Sequence, residues 1–504
     1  MTLAPPNPTP TIEGRPRTRA EAAITRARLR RLIADIESRP PKPLAGPRRE
    51  LTLTSDDPVS GDNHPERRNL LATATRRETD SGPLTFREVR YPLAHEAGHQ
   101  SLADILTLSQ TTLELLAPDE GLDDATLADL YFLDIETTGL GGAGAIAFLV
   151  ATARFEVDPA GNPEELVLTQ YLAESPPEEN SLLEALIEDA RFKDDPVLVT
   201  YNGRTFDAPL LDERATMHRR RAGFDGLRQL DLLRPARTSF RALLPNCKLA
   251  TMEHQVLGMT RPSEDIPGSE VPHWYFRFLR TGDQRMLNPI VEHNELDIIG
   301  MVGLLAWHAA HLDDQRQPGQ RDALGLGRLL TARGLEDRAI PYLERAISPV
   351  PAIAGPAASP RSAARARPPR AADLLANTGR TVYEPEVRPP PDPSEDARIR
   401  EEALLRLAAL HKRAGDRDRA VRLWHEALAL PATAPLEPLI ELAMHYEHHH
   451  RDFVAAITHA QAAADHVSTH LHPHDPARTA RLRSAIDHRL TRLHSRLERE
   501  RRRA

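Results

Sequence analysis

At 504 residues the chain is long enough for several domains, and its formal net charge of −8 argues against a protein that coats nucleic acid through bulk positive charge. A single cysteine, Cys247, excludes an internal disulfide framework. No apolar run reaches the length of a membrane span, and the proline-rich, basic start lacks the apolar stretch of a secretory leader, so a cytoplasmic protein without a membrane partner is expected.

Residues 1–84 mix proline, arginine and scattered acids and are expected to be mostly disordered, with one helix over Arg19–Ser38. Globular patterning begins at residue 85 and is densest from residue 130 to residue 312. HEAGH, His95–His99, matches the H-E-x-x-H zinc motif, but Gly98 between the histidines and the preceding Pro92 point to a structural loop, not to the helix that zinc binding needs. YFLDIE, AIAFLVATARFEV and ELVLTQYLAES read as three successive strands in a meander. Between the first two, GLGGAG satisfies the G-x-G-x-x-G spacing; it leads into a strand, so it is read as a glycine-rich hairpin turn instead of a dinucleotide site.

A helix is predicted over Asn180–Arg191, then a strand in PVLVTYNG and a helix opening with Thr205 as N-cap. From CKLATMEHQVLG onward the pattern is mainly helical, and the last helix of this block starts with Asn288 as N-cap and Pro289 at its first position. The aromatics of HWYFRF, His273–Phe278, fall at helical spacing and are expected in the core. These elements predict an α/β domain over 85–312, with three antiparallel strands followed by parallel strands and helices on both faces.

Helical hairpins follow at 320–347 and 398–500, separated by a Pro/Ala/Arg-rich linker over 348–397. Gly334, Ala339 and Ala346 in the first hairpin recur at the same offsets as Gly415, Ala420 and Ala427, and more loosely as Ala456 and Ala463. That spacing resembles tetratricopeptide repeats and adds an expected all-α domain that takes a protein partner. The histidines of MHYEHHH, His445 and His448–His450, are read as a polar helix face.

The chemistry-bearing residues lie in the α/β block. Asp134 and Glu136, two apart on a strand, share a face, and carboxylates that close repel unless a cation lies between them. Hard oxygen ligands select magnesium or manganese. Asp207 falls in the first turn of a helix after a buried strand, and His293 and Asp297 lie one turn apart on the last helix, at the edge of an apolar run. From Arg214 to Arg241 the arginines outnumber the two acids Asp225 and Asp231, a composition suited equally to tracking phosphates or to a solvated arginine face. Asp231 itself is read as a structural hydrogen-bonding residue.

FLDIETTGL, VTYNGRTFDAPLL and EHNELDIIGM together resemble the three motifs of the DEDD superfamily of 3'-5' exonucleases, whose catalytic domain has a ribonuclease H-like fold. SEDIPGSEVPHWYFRFLRTGD and HNELD narrow the resemblance to the bacterial YprB-type proteins, which also bear C-terminal tetratricopeptide repeats. The resemblance implies a two-metal phosphodiester hydrolase using two Mg2+ or Mn2+ ions held by Asp134, Glu136, Asp207 and Asp297, with His293 handling the water. Its substrate would be a single-stranded 3' end of DNA or RNA. Thr137, Asn202, Arg204, Phe206 and Asn294, inside the same motifs, are the implied substrate contacts. In one respect the sequence departs from the family pattern: His293 precedes Asp297 by the spacing that members with tyrosine use. The competing expectation is a weakly active or inactive nucleic-acid-binding scaffold acting through its repeats.

Overall fold

Strands with continuous apolar runs need cover on both faces, and here both faces are covered. The computed structural model describes residues 70–348 and 393–503, apart from 140–144, 160, 191–195, 263–265, 314–315, 431–435 and 471–475. The helix expected over Arg19–Ser38, most of the glycine-rich turn after Gly139 and linker residues 349–392 lie outside the described residues.

Strands β1 (Thr75–Thr79) and β2 (Gly82–Pro92) form a hairpin, so the sheet begins ahead of the boundary read at residue 85. A separate two-stranded ribbon, β3 (Glu96–Ala97) and β4 (Gln100–Ser101), holds HEAGH, and α1 (Gln110–Leu116) follows. His95 packs its ring on Tyr91, and the His99 N–H donates to the Leu257 carbonyl at 2.7 Å, so the two imidazoles share no helical face. HEAGH is a structural ribbon.

The predicted meander is present as β5 (Leu130–Thr137), β6 (Ala147–Val157) and β7 (Pro163–Leu172), paired antiparallel. Next come α2 (Glu179–Ala190), β8 (Val197–Thr200), α3 (Asp207–Met217), β9 (Arg228–Asp231) and α4 (Leu233–Phe240). Strand β8 runs parallel to β5, and β9 parallel to β8, giving the sheet order β1-β2-β7-β6-β5-β8-β9. The sequence reading assigned no strand to β9.

After a single helical turn at Leu249–Met252 and a wider π-turn at Glu253–Leu257 come α5 (Val271–Thr281) and the 25-residue α6 (Asn288–Leu312). Because side chains alternate along a strand, β5 feeds two cores. Phe132 faces the core that includes α1, α4 and most of α6, while Tyr131, Leu133 and Ile135 face the one with α2, α3 and α5. In α5 the expected core role holds for Tyr275, stacked on Phe148 at 3.8 Å between ring centres, and for Phe278, while Phe276 is exposed.

Both helix starts differ from the sequence reading. Asp207 is the first residue of α3; the Thr205 hydroxyl bonds the Asn202 carbonyl and side chain instead of capping. Asn288 does not cap α6, because its side-chain oxygen accepts from the Leu71 N–H.

The rest is helical: α7 (Gln320–Ala332), α8 (Glu336–Ile347), α9 (Pro393–Arg413), α10 (Arg417–Leu428), α11 (Leu436–His445), α12 (Phe453–His470) and α13 (Pro476–Arg501). Gly334 and Gly415 turn the first two hairpins with φ of 74° and 87°, a conformation only glycine adopts freely. Ala339, Ala346, Ala420, Ala427, Ala456 and Ala463 are all fully buried, as close helix approach requires. Helix α11 runs into a π-turn, Tyr446–His450, that leaves His448–His450 exposed and buries Glu447 among Arg489, Arg492 and Arg496. Among the described residues no helix is long and apolar enough to cross a membrane.

Candidate active site

Strand β8 runs beside the first half of β5, pairing Leu130–Phe132 with Val197–Val199, and the candidate residues gather beyond the carboxyl-terminal end of β8, where β5 continues to Thr137. Asp134 and Glu136 project from β5 toward α6, Asp207 opens α3 just beyond β8, and His293 and Asp297 stand one turn apart on α6. His293 Nε2 lies 3.9 Å from Asp297 Oδ2 and 4.0 Å from Glu136 Oε1. The four-residue spacing therefore brings the imidazole to the carboxylates.

Buried polar pins fix α6 over the sheet. Asn294, fully buried, donates from Nδ2 to Asp134 Oδ2 at 2.7 Å and accepts from Gln170 Nε2 at 3.0 Å. Gln170 also donates to the Val291 carbonyl at 2.8 Å, and Arg87 bridges Gln170 to Glu295, both at 2.6 Å. A buried polar group left unmatched costs about 1–3 kcal/mol, so this set fixes one helix position.

The carboxylates press on one another. Burial pushes the Asp134 carboxyl well above its usual range, repulsion from Asp297, Glu136 and Asp207 adds to that, and Asn294 offsets part of it. Glu136 is pushed up to about 8 by burial, with His293 opposing and Asp297 and Asp207 reinforcing. Asp207 is pushed up to about 7, again by burial first; its own backbone amide opposes this, while Asp231 and Asp297 add to it. Carboxyls raised this far hold protons near neutral pH unless a cation replaces them.

One cation is already there. The Arg261 guanidinium grips Glu253 with two hydrogen bonds of 2.6 and 2.7 Å, contacts Asp297 Oδ1, and places Nη1 3.1 Å from His293 Nδ1. Glu253 lies in the π-turn, buried against Gly300 of α6, where an added Cβ would meet its Oε1 at 2.2 Å. Neither Arg261 nor Glu253 was singled out in the sequence. The available signal was Gly300, a glycine inside an apolar helix one turn past Asp297, which marks a close approach.

The implied substrate contacts divide. Asn202, with a φ of 77°, is exposed at the loop tip, and Phe206 is half-buried at the start of α3. The Thr137 hydroxyl donates to the Gly139 carbonyl at 2.6 Å. Arg204 is drawn to Glu120, on the loop that covers the open edge of β9. Asn294 is fully buried and bonded to Asp134, a placement that fits a support for that carboxylate better than the substrate contact implied for it. Asp231 has the structural role expected of it, accepting from the Asn202 and Leu233 amides at 2.7 and 3.0 Å. In the arginine-rich segment, Arg214 is buried against Glu179, Arg220 binds Glu184 and Arg228 binds Asp124. Arg219, Arg221, Arg234, Arg237 and Arg241 are exposed.

The ribonuclease H superfamily model matches residues 131–309, a stretch that runs from β5 through α6 and includes every residue of the cluster. Residues 131–309 form a ribonuclease H-like domain. The chain is also 32% identical over 270 residues to the uncharacterized protein YprB of Bacillus subtilis (strain 168), a match covering 52% of this chain and 62% of that protein. The chain thus spans less than two thirds of that relative's length.

The donor set suits hard divalent cations: desolvated carboxylates, no thiolate and a single imidazole. Among the described residues no three His, Cys, Asp or Glu side chains are already drawn together as a metal cage. Donor chemistry fits the ion, while Asp297 is held on Arg261.

Proposed function

We propose that this protein is a divalent-metal-dependent nuclease that works as a 3'-5' exonuclease on single-stranded ends of DNA or RNA. One observation carries the reading: Asp134, Glu136, Asp207 and Asp297, from three separate elements, repel one another in a single desolvated site beside His293. Those four would hold Mg2+ or Mn2+ ions. Bound there, a pair of such ions supplies an activated water and a counter-charge for the leaving 3'-oxygen.

The chain's own groups do the rest. Asn294 keeps the Asp134 carboxylate turned into the site, and Gln170 keeps Asn294 in place. His293 orients the attacking water and takes its proton at Nε2, since imidazole titrates in the needed range. The exposed arginines between Arg219 and Arg241 give the strand's phosphates a countercharge. Residues 85–312 with the preceding hairpin strands make up the nuclease unit, and the hairpins at 320–347 and 398–500, read as tetratricopeptide-like, offer a surface for a protein partner. A lone cysteine fits a reducing, cytoplasmic setting.

A second reading, a weakly active or inactive scaffold, draws support from the engagement of Asp297 by Arg261. End-labelled single-stranded DNA and RNA, incubated with Mn2+ or Mg2+ beside Asp134→Asn, separate the two. Stepwise shortening from the 3' end that the variant abolishes is the expected result; no shortening of any substrate would leave the scaffold.

A further inference from the structure

Arg261 is the least expected group in the site. Its side chain is 10% exposed, and it faces two carboxylates at once: Glu253, 1% exposed, by a bidentate grip, and Asp297 by a single contact. The two grips differ in kind. A bidentate guanidinium–carboxylate pair fixes orientation as well as charge, whereas a single contact can be given up without moving the guanidinium. Glu253 cannot follow Arg261 outward, because it is wedged against α6 at Gly300.

The Arg261 contact with His293 matters as much. A guanidinium has only donors, so Nη1 at 3.1 Å from Nδ1 requires an unprotonated Nδ1. The other ring nitrogen, Nε2, faces Glu136 and Asp297. The same guanidinium thus holds an oxygen of Asp297 and the Nδ1 side of His293 at once.

We propose that Arg261, anchored by Glu253 and laid across Asp297 and His293, is a displaceable counter-cation that competes with a divalent metal ion for Asp297. The inference rests on the metal-dependent nuclease reading of the same site. It makes Arg261 a positioning residue, acting through Asp297. It also explains why Asp297 can lie in a desolvated site before any ion arrives: the fold supplies a cation of its own, and an incoming one must compete with it.

The test is Mn2+ binding to the full chain, followed by electron paramagnetic resonance of the free ion, in wild type, Arg261→Gln, Arg261→Lys and Glu253→Gln. Competition predicts opposite signs. Arg261→Gln frees Asp297 and lowers the Mn2+ dissociation constant by ~5-fold or more, while Glu253→Gln leaves the guanidinium to Asp297 and raises it by ~5-fold or more, the lower end of usual coupling between sites. Arg261→Lys, which keeps the charge but cannot bridge two carboxylates in the same way, falls between wild type and Arg261→Gln and serves if the buried Glu253 variant does not fold. Weaker or unchanged Mn2+ binding in Arg261→Gln overturns the inference and leaves the nuclease reading standing. Mn2+ binding that is absent from the wild type, or insensitive to Asp297→Asn, overturns both.

Discussion

Glu447 and Glu253 are both buried beside arginine, and their electrical surroundings are opposite. Glu447, in the helical region, faces Arg489, Arg492 and Arg496; burial pushes its carboxyl up, but Arg492, His448 and Arg489 outweigh burial and hold it below the usual range. Glu253 shares its one arginine with Asp297; burial pushes it up to about 7, Arg261 opposes, and Asp297 adds to the rise. Where cations outnumber carboxylates the result is a clasp between helices. Where carboxylates outnumber cations, the fold leaves a place for an ion from outside.

The largest expected effect tests the crowded side. Asp134→Asn removes one of the repelling carboxylates, so cleavage should fall by more than the ~100-fold that loss of an outer supporting group costs, while the metal-free protein melts at the same or a higher temperature. Loss of both activity and fold in calorimetry would erase the distinction between site and clasp. Asn294→Ala comes next: metal affinity or cleavage drops ~10–100-fold, and because Gln170 loses a partner the fold weakens by about 1–3 kcal/mol in a denaturant titration.

On the clasp side, Glu447→Gln leaves three converging arginines without their countercharge. Those arginines are partly exposed, so the cost is about 1–2 kcal/mol, below that of breaking a fully buried pair. Hydrogen exchange should rise over 436–503 with cleavage unchanged; faster exchange at β5 instead would mean the two regions are not separate.

The smallest effect is a matter of sign with pH, read as thermal stability in chelator. Glu447 has a lowered carboxyl pKa, so its contribution is present above the unfolded value near 4.5 and is lost as pH falls through the folded one. Glu136 is raised to about 8, so its contribution is present below 4.5 and is lost as pH rises toward 8. Acid should therefore loosen the helical region while alkali loosens the metal-free site. The same pH trend in both would contradict the comparison.

Much of the site could be read in the sequence because its spacing is periodic. Asp134 and Glu136 obey the two-residue rule of a strand, His293 and Asp297 the four-residue rule of a helix, and both pairs face the cluster. The meander was equally plain, its apolar runs being long. Strand β9 was not, because Arg228–Asp231 has one aliphatic side chain among four residues. Nor was β1, whose TRRET reads as surface. Helix caps misled where the capping side chain had a distant partner, as Asn288 does in Leu71. The grip of Arg261 on Glu253 and Asp297 joins separate segments, and no local pattern in a single sequence records such a pairing.

The hairpin of β1 and β2 also decides how this protein can be shortened. A fragment begun at residue 85, where globular patterning starts in the sequence, would discard β1 together with Leu84, a side chain with 0% exposure. It would also strip the hydrogen-bonding partner from the start of β2 and remove Arg76, Arg77 and Glu78, whose charges blunt the sheet's outer edge. An uncovered strand edge recruits other chains, so such a fragment should self-associate in light scattering, whereas one begun at Arg68 keeps the charged edge strand β1 and stays dispersed.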